Sequence, residues 1–472
     1  MPVIPGSPDP DDLPGTPDND TITGLAGNDT LTGFGGDDEL YGGADNDNLD
    51  GSGGRDSLYG GTGDDTLIAH GELSFHVGGG GNDTIVLGPT IGEGTSARGY
   101  GGNGNDTILV AGPLGAIADG GGDEDILLFT TYLMGQDNPA ASIDLSTGSG
   151  TATGTGGMVL EFAGFEHLYF NGGSGADTVT GGALGDTIFG GRGANALLAG
   201  AGDDIVAIGY GGQQTLDGGA DDDLLIVIDA VMPVYFIVDA DETVDDGQLS
   251  EITGFERYEI EGSSLGDAIR TGAGDDLIKG FKGNDVLSGA AGNDSLVGAG
   301  GHDEMWGGDD NDTLNGGNND DTLYGGDGND KLIDGAGDDN LRAGDGDDVL
   351  VIGFGSDYAF GGAGADLFRF REITDPGRIE DRIGDFLSGT DRLVFHQDIL
   401  LGSPQIGRTS AAEFSIGTQV GTGGQFLYIV AGSNGVLYWD GNGTDVGMEQ
   451  VLVVLQLNDA AATVAAGDIF IT

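Results

Sequence analysis

The sequence predicts an all-β repeat protein, a solenoid of short strands joined by glycine-rich turns, on three observations. An aspartate recurs every nine residues, a large apolar residue follows it two positions later, and glycine, at 99 of 472 residues, clusters just ahead of each aspartate. Self-similarity at a short fixed period marks architectures in which each unit buries its apolar face only against its neighbours. A Gly/Asp-rich linker would solvate itself and would have no reason to keep an apolar residue in phase.

Written as GGxGxDxUx, with U a large apolar residue, the register places sixth-position aspartates at Asp267, Asp276, Asp285, Asp294, Asp303, Asp312, Asp321, Asp330, Asp339, Asp348, Asp357 and Asp366, twelve repeats without a slip. The eighth position follows in step as Ile269, Ile278, Leu287, Leu296, Met305, Leu314, Leu323, Leu332, Leu341, Leu350, the weaker Ala359 and Phe368. A first block carries Asp20, Asp29, Asp38, Asp47, Asp56 and Asp65, with Ile22, Leu31, Leu40, Leu49, Leu58 and Leu67 behind them. Partial repeats resume at Asp83, Asp106, Asp125, Asp177, Asp186 and Asp204. Asn195 and Gln214 replace the aspartate, and Ser74 stands where the first block would continue, so these rungs are expected to be structural and without metal.

Charge narrows the partners. The chain has 80 acidic against 15 basic side chains, a formal net charge of -65, and its only lysines are Lys279, Lys282 and Lys331. Nucleic acid and anionic lipid both need basic clusters and are excluded as partners. The longest apolar run, Leu224 to Val238, is broken by Asp229 and Pro233 and is too short to span a bilayer, so no direct membrane insertion is expected. No cysteine is available for a disulfide staple. The N-terminal MPVIPGSPDPDDLPG lacks a basic and an apolar region, so an ordinary cleaved secretory signal is not expected, and its Pro and Asp content reads as a mobile leader.

Divalent cations are the natural counter-species for such a chain. Stacked strands lie about 4.8 Å apart, and at that spacing two bare carboxylates repel by about 1 kcal/mol in bulk water and by about 3 to 4 kcal/mol at an effective dielectric near 20. An ion shared between successive loops turns each repulsion into two attractions and makes metal binding and folding one process. Carboxylates and loop carbonyls converging on one point suit Ca²⁺, whose coordination is flexible; Mg²⁺ demands octahedral geometry, and zinc wants Cys or His. Glycine at positions 1, 2 and 4 would permit the positive φ that curls such a loop.

The nonapeptide resembles that of the RTX (repeats-in-toxin) family, and the resemblance covers most of residues 15 to 370. It implies a parallel β-roll in which two nonapeptides make one turn, xUx is a short strand and GGxGxD is a calcium-binding loop, so that Asp294 sits beside Asp312 and all the aspartates named above are candidate Ca²⁺ ligands. Composition shifts after Phe370, and from Gly361 on the stretches GGAGADLFRF…DRIGDFLSGTDRLVF, QFLYIV…GVLYWDGNG and AAGDIFIT resemble the C-terminal region of serralysin-type proteases and other type I secreted RTX proteins, with Asp468, Ile469, Phe470 and Ile471 matching the acidic residue and apolar tail of the export signal. The resemblance implies the type I export machinery as a partner, a secreted or cell-surface location, folding outside the cell on calcium, and a surface, adhesion or matrix role.

Five segments follow: a flexible leader at 1–14, a first roll block at 15–112, a duplicated insert module with partial repeats at 113–261, the main roll at 262–370, and a β-rich C-terminal cap with the secretion-signal region at 371–472. The duplication shows in DGGGDEDILLF (Asp119 to Phe129) against DGGADDDLLIV (Asp217 to Val227), and in GFEHLYF (Gly164 to Phe170) against GFERYEI (Gly254 to Ile260), offset by ninety residues. Alternating apolar residues there suggest strands that widen or cap the roll. The full expectation is a parallel β-roll solenoid with two β inserts and a C-terminal cap.

Catalytic chemistry is not expected. No H-E-x-x-H occurs, and His70, His76, His167, His302 and His396 are scattered. GSSLG around Ser264 fits a hydrolase motif but lies within the nonapeptide register, without strand–elbow–helix context. His302 reads as a fifth-position loop residue. The alternative is a secreted enzyme with its site in the inserts, around residues 127 to 171 and 226 to 262.

Overall fold

The computed structural model describes residues 2–69, 73–88, 96–111, 115–130, 140–153, 159–209, 213–228, 234–238, 244–245, 251–370, 381–387 and 390–395, together with the backbone of strands between 407 and 471. Among these, all regular elements are strands. They form two compact units, Met1–Ile228 with Glu242–Val244 and Gln248–Glu256, and Asp229–Asp241 with Asp245–Gly247 and Arg257–Thr472.

In the first unit one wall stacks Val3–Pro5, Thr21–Ala26, Glu39–Ala44, Ser57–Thr62 and Phe75–Gly80 in parallel. The other stacks Asp12–Pro14, Thr30–Thr32, Asn48–Ser52, Thr66–Ala69 and Thr84–Leu87. Through the first block each residue pairs with the one eighteen positions on, as Ile22 with Leu40 and Leu31 with Leu49, so two nonapeptides make a turn. Every eighth-position side chain from Ile22 to Leu67 is fully buried. The walls meet closely at Gly99, where a Cβ would lie 3.2 Å from Ile85 and 3.5 Å from Ile108 of the facing strands.

The roll begins within residues 1–14, the segment expected to be a flexible leader. Val3–Pro5 pairs with Thr21–Thr23, Asp12–Pro14 pairs with Thr30–Thr32, and the Asp11 N–H donates to Asp29 Oδ1 at 2.8 Å. Pro5 is tolerated because its strand is the edge of the wall, where a missing N–H leaves no ladder partner wanting.

The inserts widen the roll. Ser142–Asp144, Ser149–Thr153 and Val159–Ala163 run as an antiparallel detour within the wall, between Gly115–Gly122 and Thr178–Thr180. The second copy repeats both ends of this arrangement: Glu251–Thr253 pairs with Thr215–Asp217, as Val159–Ala163 pairs with Gly115–Gly122. Tyr235–Ile237 pairs with Ala268–Arg270, as Ser142–Asp144 pairs with Thr178–Thr180.

The second unit carries the twelve-repeat roll. One wall stacks Val286–Ala291, Glu304–Asp309, Thr322–Asp327, Asn340–Asp345 and Tyr358–Ala363, the other Ser295–Gly300, Thr313–Asn318, Lys331–Ala336, Val349–Ile352 and Leu367–Phe370. Strands here are longer than xUx. Thr322–Asp327 skips its first-position Gly325 in the ladder and resumes with Gly326 opposite Gly308 and Asp327 opposite Asp309, so half of each turn is also hydrogen-bonded to its neighbours.

The roll also outlasts residue 370. Arg382–Ile383 stacks on Tyr358–Ala359, Arg392–Phe395 stacks on Leu367–Phe370, and Ile383 and Leu393 are fully buried in eighth-position places. Beyond them Phe414–Ile416, Gln425–Ala431, Asn434–Asp440 and Gln450–Gln456 form a largely antiparallel sheet, joined to Arg382–Ile383 through Val454 and Leu455. Ile469–Ile471, matched to an export tail, pairs in parallel with Leu393–Phe395; Asp468 lies outside the described residues.

Candidate metal sites

The GGxGxD loops align their aspartates into buried columns. In the second unit the backbone N–H of each aspartate donates to Oδ1 of the aspartate one turn later: Asp267 to Asp285, Asp285 to Asp303, Asp303 to Asp321 and Asp321 to Asp339, at 2.7 to 2.9 Å. The second column runs from Asp276 through Asp294, Asp312, Asp330 and Asp348 to Asp366, at 2.8 to 3.2 Å. The first unit has the same arrangement from Asp11 through Asp29, Asp47, Asp65, Asp83 and Asp106 to Asp125, from Asp20 through Asp38 to Asp56, and from Asp186 through Asp204 to Asp223. Asp177 passes its N–H to Asn195 Oδ1, and Asn195 to Gln214 Oε1, so these two amides continue a column while supplying no negative charge.

Apart from the half-buried Asp11 at the head of its column, all these aspartates are at most 3% exposed. Their second oxygen is the informative one. Oδ2 is buried without a hydrogen-bond partner at Asp29, Asp38, Asp47, Asp56, Asp65, Asp83, Asp106, Asp125, Asp177, Asp204 and Asp223, and again at Asp276, Asp285, Asp294, Asp303, Asp312, Asp321, Asp330, Asp339, Asp348 and Asp357. A buried carboxylate oxygen left unpaired is costly, and a cation is the partner that would satisfy a row of them. Four aspartates differ: Oδ2 accepts from Ser7 N–H at Asp11, from Thr16 N–H at Asp20, from Gly182 N–H at Asp186 and from Ser263 N–H at Asp267, at 2.5 to 2.7 Å, so their own loops already occupy them.

Burial sets the proton affinity of these groups. Loss of water pushes Asp294 and Asp339 up to about 8, and Asp56, Asp83, Asp204, Asp285, Asp312, Asp321 and Asp348 up to about 7. The backbone N–H bond opposes this and neighbouring carboxylates reinforce it. Without a cation such columns would hold protons near neutral pH.

Glycine works differently at each loop position. In the repeat Gly325–Ile333, Gly326 has φ +128° and Gly328 φ +136°, as the curled loop requires. The first-position Gly325 does not have positive φ, contrary to expectation. It is glycine because a Cβ there would overlap the Asp330 carboxylate and crowd the Ala343 carbonyl, so the missing side chain makes the space in which Oδ2 lies.

Several participants fall outside the nine-residue register. Glu166 and Glu256 take the aspartate's place at the inserts, Oε2 accepting from Asp125 and Asp223 N–H at 3.0 and 2.9 Å. Asp381 and Asp391 extend the two main columns, accepting from Asp357 and Asp366 at 3.2 Å. The fifth position forms an exposed ladder in which each N–H donates to the side-chain oxygen one turn earlier, as Asn329 to Asn311 at 2.8 Å, and His302 follows suit by donating to Asn284. That explains the Asn and Asp of the NDT triplets. Ser264 lies exposed in the loop ahead of Asp267, and His76 is buried in the core.

A family model described as the RTX calcium-binding nonapeptide repeat matches residues 14–49, 41–71, 77–89, 170–206, 261–296, 288–323, 297–332, 315–350, 324–359 and 353–369. The chain carries RTX calcium-binding nonapeptide repeats. Its RTX repeats bind calcium, and their number implies multiple ions. Among solved structures, the AlgE6R3 subunit of the Azotobacter vinelandii mannuronan C5-epimerase is similar at 27% identity and a TM-score of 0.20, over 34% of this chain and 79% of that one. The extracellular lipase LipA from Serratia marcescens is similar at 16% identity and a TM-score of 0.15, over 63% of this chain and 40% of that one, so the RTX chain spans less than half of the lipase. No curated protein matches it.

Proposed function

We propose that this RTX protein is secreted through a type I channel, folds outside the cell on calcium held by its sixth-position aspartates, and serves there as a non-catalytic surface, adhesion or matrix component. The observation that carries the reading is the set of buried carboxylate columns whose Oδ2 atoms have no partner. In a chain of net charge -65 these columns oppose folding until a cation enters, so a cell interior poor in calcium keeps the chain unfolded for export and a calcium-rich exterior closes the roll. Ca²⁺ fits because the donors are all oxygen and the loops repeat without rigid octahedral order. Function then lies in the outer surface of the roll, since His76 is buried in the core and Ser264 is a loop residue.

Two measurements test it. Far-UV circular dichroism should show β-structure gained on calcium addition and lost in chelator at pH 8; a folded spectrum unchanged by chelator sinks the folding switch. In culture, removal of the last sixty or so residues should retain the protein inside the cell, and equal export of the shortened chain sinks the secretion reading.

A further inference from the structure

A few repeats carry a side chain at the first position, among them Thr271, Ala343 and Ile352, and in one of them that side chain is a carboxylate. Asp334 occupies that position in the loop ending at Asp339, where Gly325 and Gly316 stand in the two preceding repeats. Its Oδ1 accepts from the N–H groups of Gly335 and Gly353 at 2.5 and 2.8 Å, which fixes the carboxylate against the turn. Asp339 and Asp357 also use Oδ1 on the column, accepting from Asp321 at 2.7 Å and from Asp339 at 3.0 Å. All three Oδ2 atoms are left buried and unpartnered, and one carboxylate oxygen from each residue lies within 4.8 Å of the others.

We propose that Asp334, Asp339 and Asp357 form a three-carboxylate cation site, tighter than the two-carboxylate positions along the remaining columns. The inference rests on the calcium-roll reading above and adds to it a site that the repeat pattern does not encode. Oxygens within 4.8 Å of one another can all reach one ion. An irregular all-oxygen donor set suits Ca²⁺ and the similarly oxygen-seeking trivalent lanthanides, whereas Mg²⁺ demands near-ideal octahedral geometry and keeps its waters. The third carboxylate raises the charge facing the ion, the property that tunes affinity among oxygen-donor sites. Preorganisation adds to this, because the two glycine N–H groups hold Asp334 in place before any ion arrives.

The test uses the full chain, loaded with calcium and titrated with Tb³⁺, with emission sensitised through Tyr358, the residue after Asp357. Wild type should show a first saturable phase near one equivalent. Asp334→Asn and Asp334→Gly should each weaken that phase about tenfold or more while the later phases stay put. Tyr358→Phe should dim it without moving its midpoint. Asp334→Gly restores the repeat's usual residue and answers the question should Asp334→Asn misfold. An unshifted first phase in Asp334→Gly, or a wild type whose sites all fill together, overturns the three-carboxylate site and leaves the calcium roll standing. Failure of the wild type to take up either ion overturns the roll's calcium dependence itself.

Discussion

Stripping calcium from the protein at pH 8 should unfold its main roll, and acidifying the same metal-free sample to pH 5.5 should refold it. The sign follows from the direction in which burial moves the aspartates. Asp276, Asp285, Asp294, Asp312, Asp321, Asp339, Asp348, Asp357, Asp366 and Asp381 titrate between about 6 and about 8 in the folded unit, against 3.8 for the ordinary side chain. The metal-free folded state therefore binds more protons than the unfolded chain, and its stability falls as pH rises through this window and returns as pH drops. One pH unit of displacement corresponds to about 1.4 kcal/mol. If solvent screening leaves only about 1 kcal/mol for each of these ten carboxylates, the total is about 10 kcal/mol, as large as the whole stability of an ordinary domain at about 5 to 15 kcal/mol. Urea titrations followed by far-UV circular dichroism, in chelator at pH 5.5 and 8 and in calcium at pH 8, measure the effect. About 0.5 M salt in every sample screens the exposed charges and leaves the buried columns as the pH-sensitive element. A metal-free urea midpoint at pH 8 equal to or above that at pH 5.5 would refute the reasoning.

Other outcomes follow from the same geometry. Asp312→Asn keeps an oxygen for the Asp294 N–H but removes the charge, so the calcium concentration needed for folding should rise; Asp312→Ala should lose a further 1 to 3 kcal/mol, roughly, in urea melts in saturating calcium, because that N–H is then buried unpaired. Gly325→Ala places a methyl where the Asp330 carboxylate lies and should raise the calcium midpoint of the dichroism transition. Leu314→Ala, at a fully buried eighth position, should cost about 2 to 5 kcal/mol in the calcium-loaded protein by the same melts. Deleting residues 469–471 leaves Leu393–Phe395 as an open strand edge and should increase light scattering in calcium relative to the full chain.

Periodicity made the roll legible, because only a stacked strand keeps Leu287, Leu296 and Leu314 in phase with a buried aspartate. What the register could not reveal is where the chain leaves it and returns. Glu166, Glu256, Asp381 and Asp391 occupy column positions at separations of 41, 33, 24 and 25 residues from their partners, so a search at nine or eighteen passes over them. Asp223 also escaped the candidate set, although a buried eighth-position residue, Leu225, follows it. A carboxylate two residues ahead of a buried apolar residue, as Glu166 is to Leu168, was the available signal. The leader misled for a different reason: its prolines suit an edge strand as well as a mobile segment, and composition does not separate the two. First-position glycine looked like a φ requirement because the sequence records only that a side chain is missing, whereas the space it leaves is occupied by a carboxylate from the same loop.

The two ladders point in opposite directions along each stack, and only the sixth-position one is dry. A buried aspartate amide always leans on the following turn, while an exposed fifth-position amide leans on the preceding one and can turn to water instead. Losing a turn from the carboxyl end therefore leaves a sequestered amide with no acceptor, whereas losing one from the amino end leaves an aspartate Oδ1 with no donor and the N–H after it with no carbonyl, as Thr313 N–H donates to the Asp294 carbonyl at 2.8 Å. Each interior turn is consequently held from both sides, its aspartate amide by the turn after it and the following N–H by the turn before it, so an open end of either sort leaves a group that some cap has to satisfy.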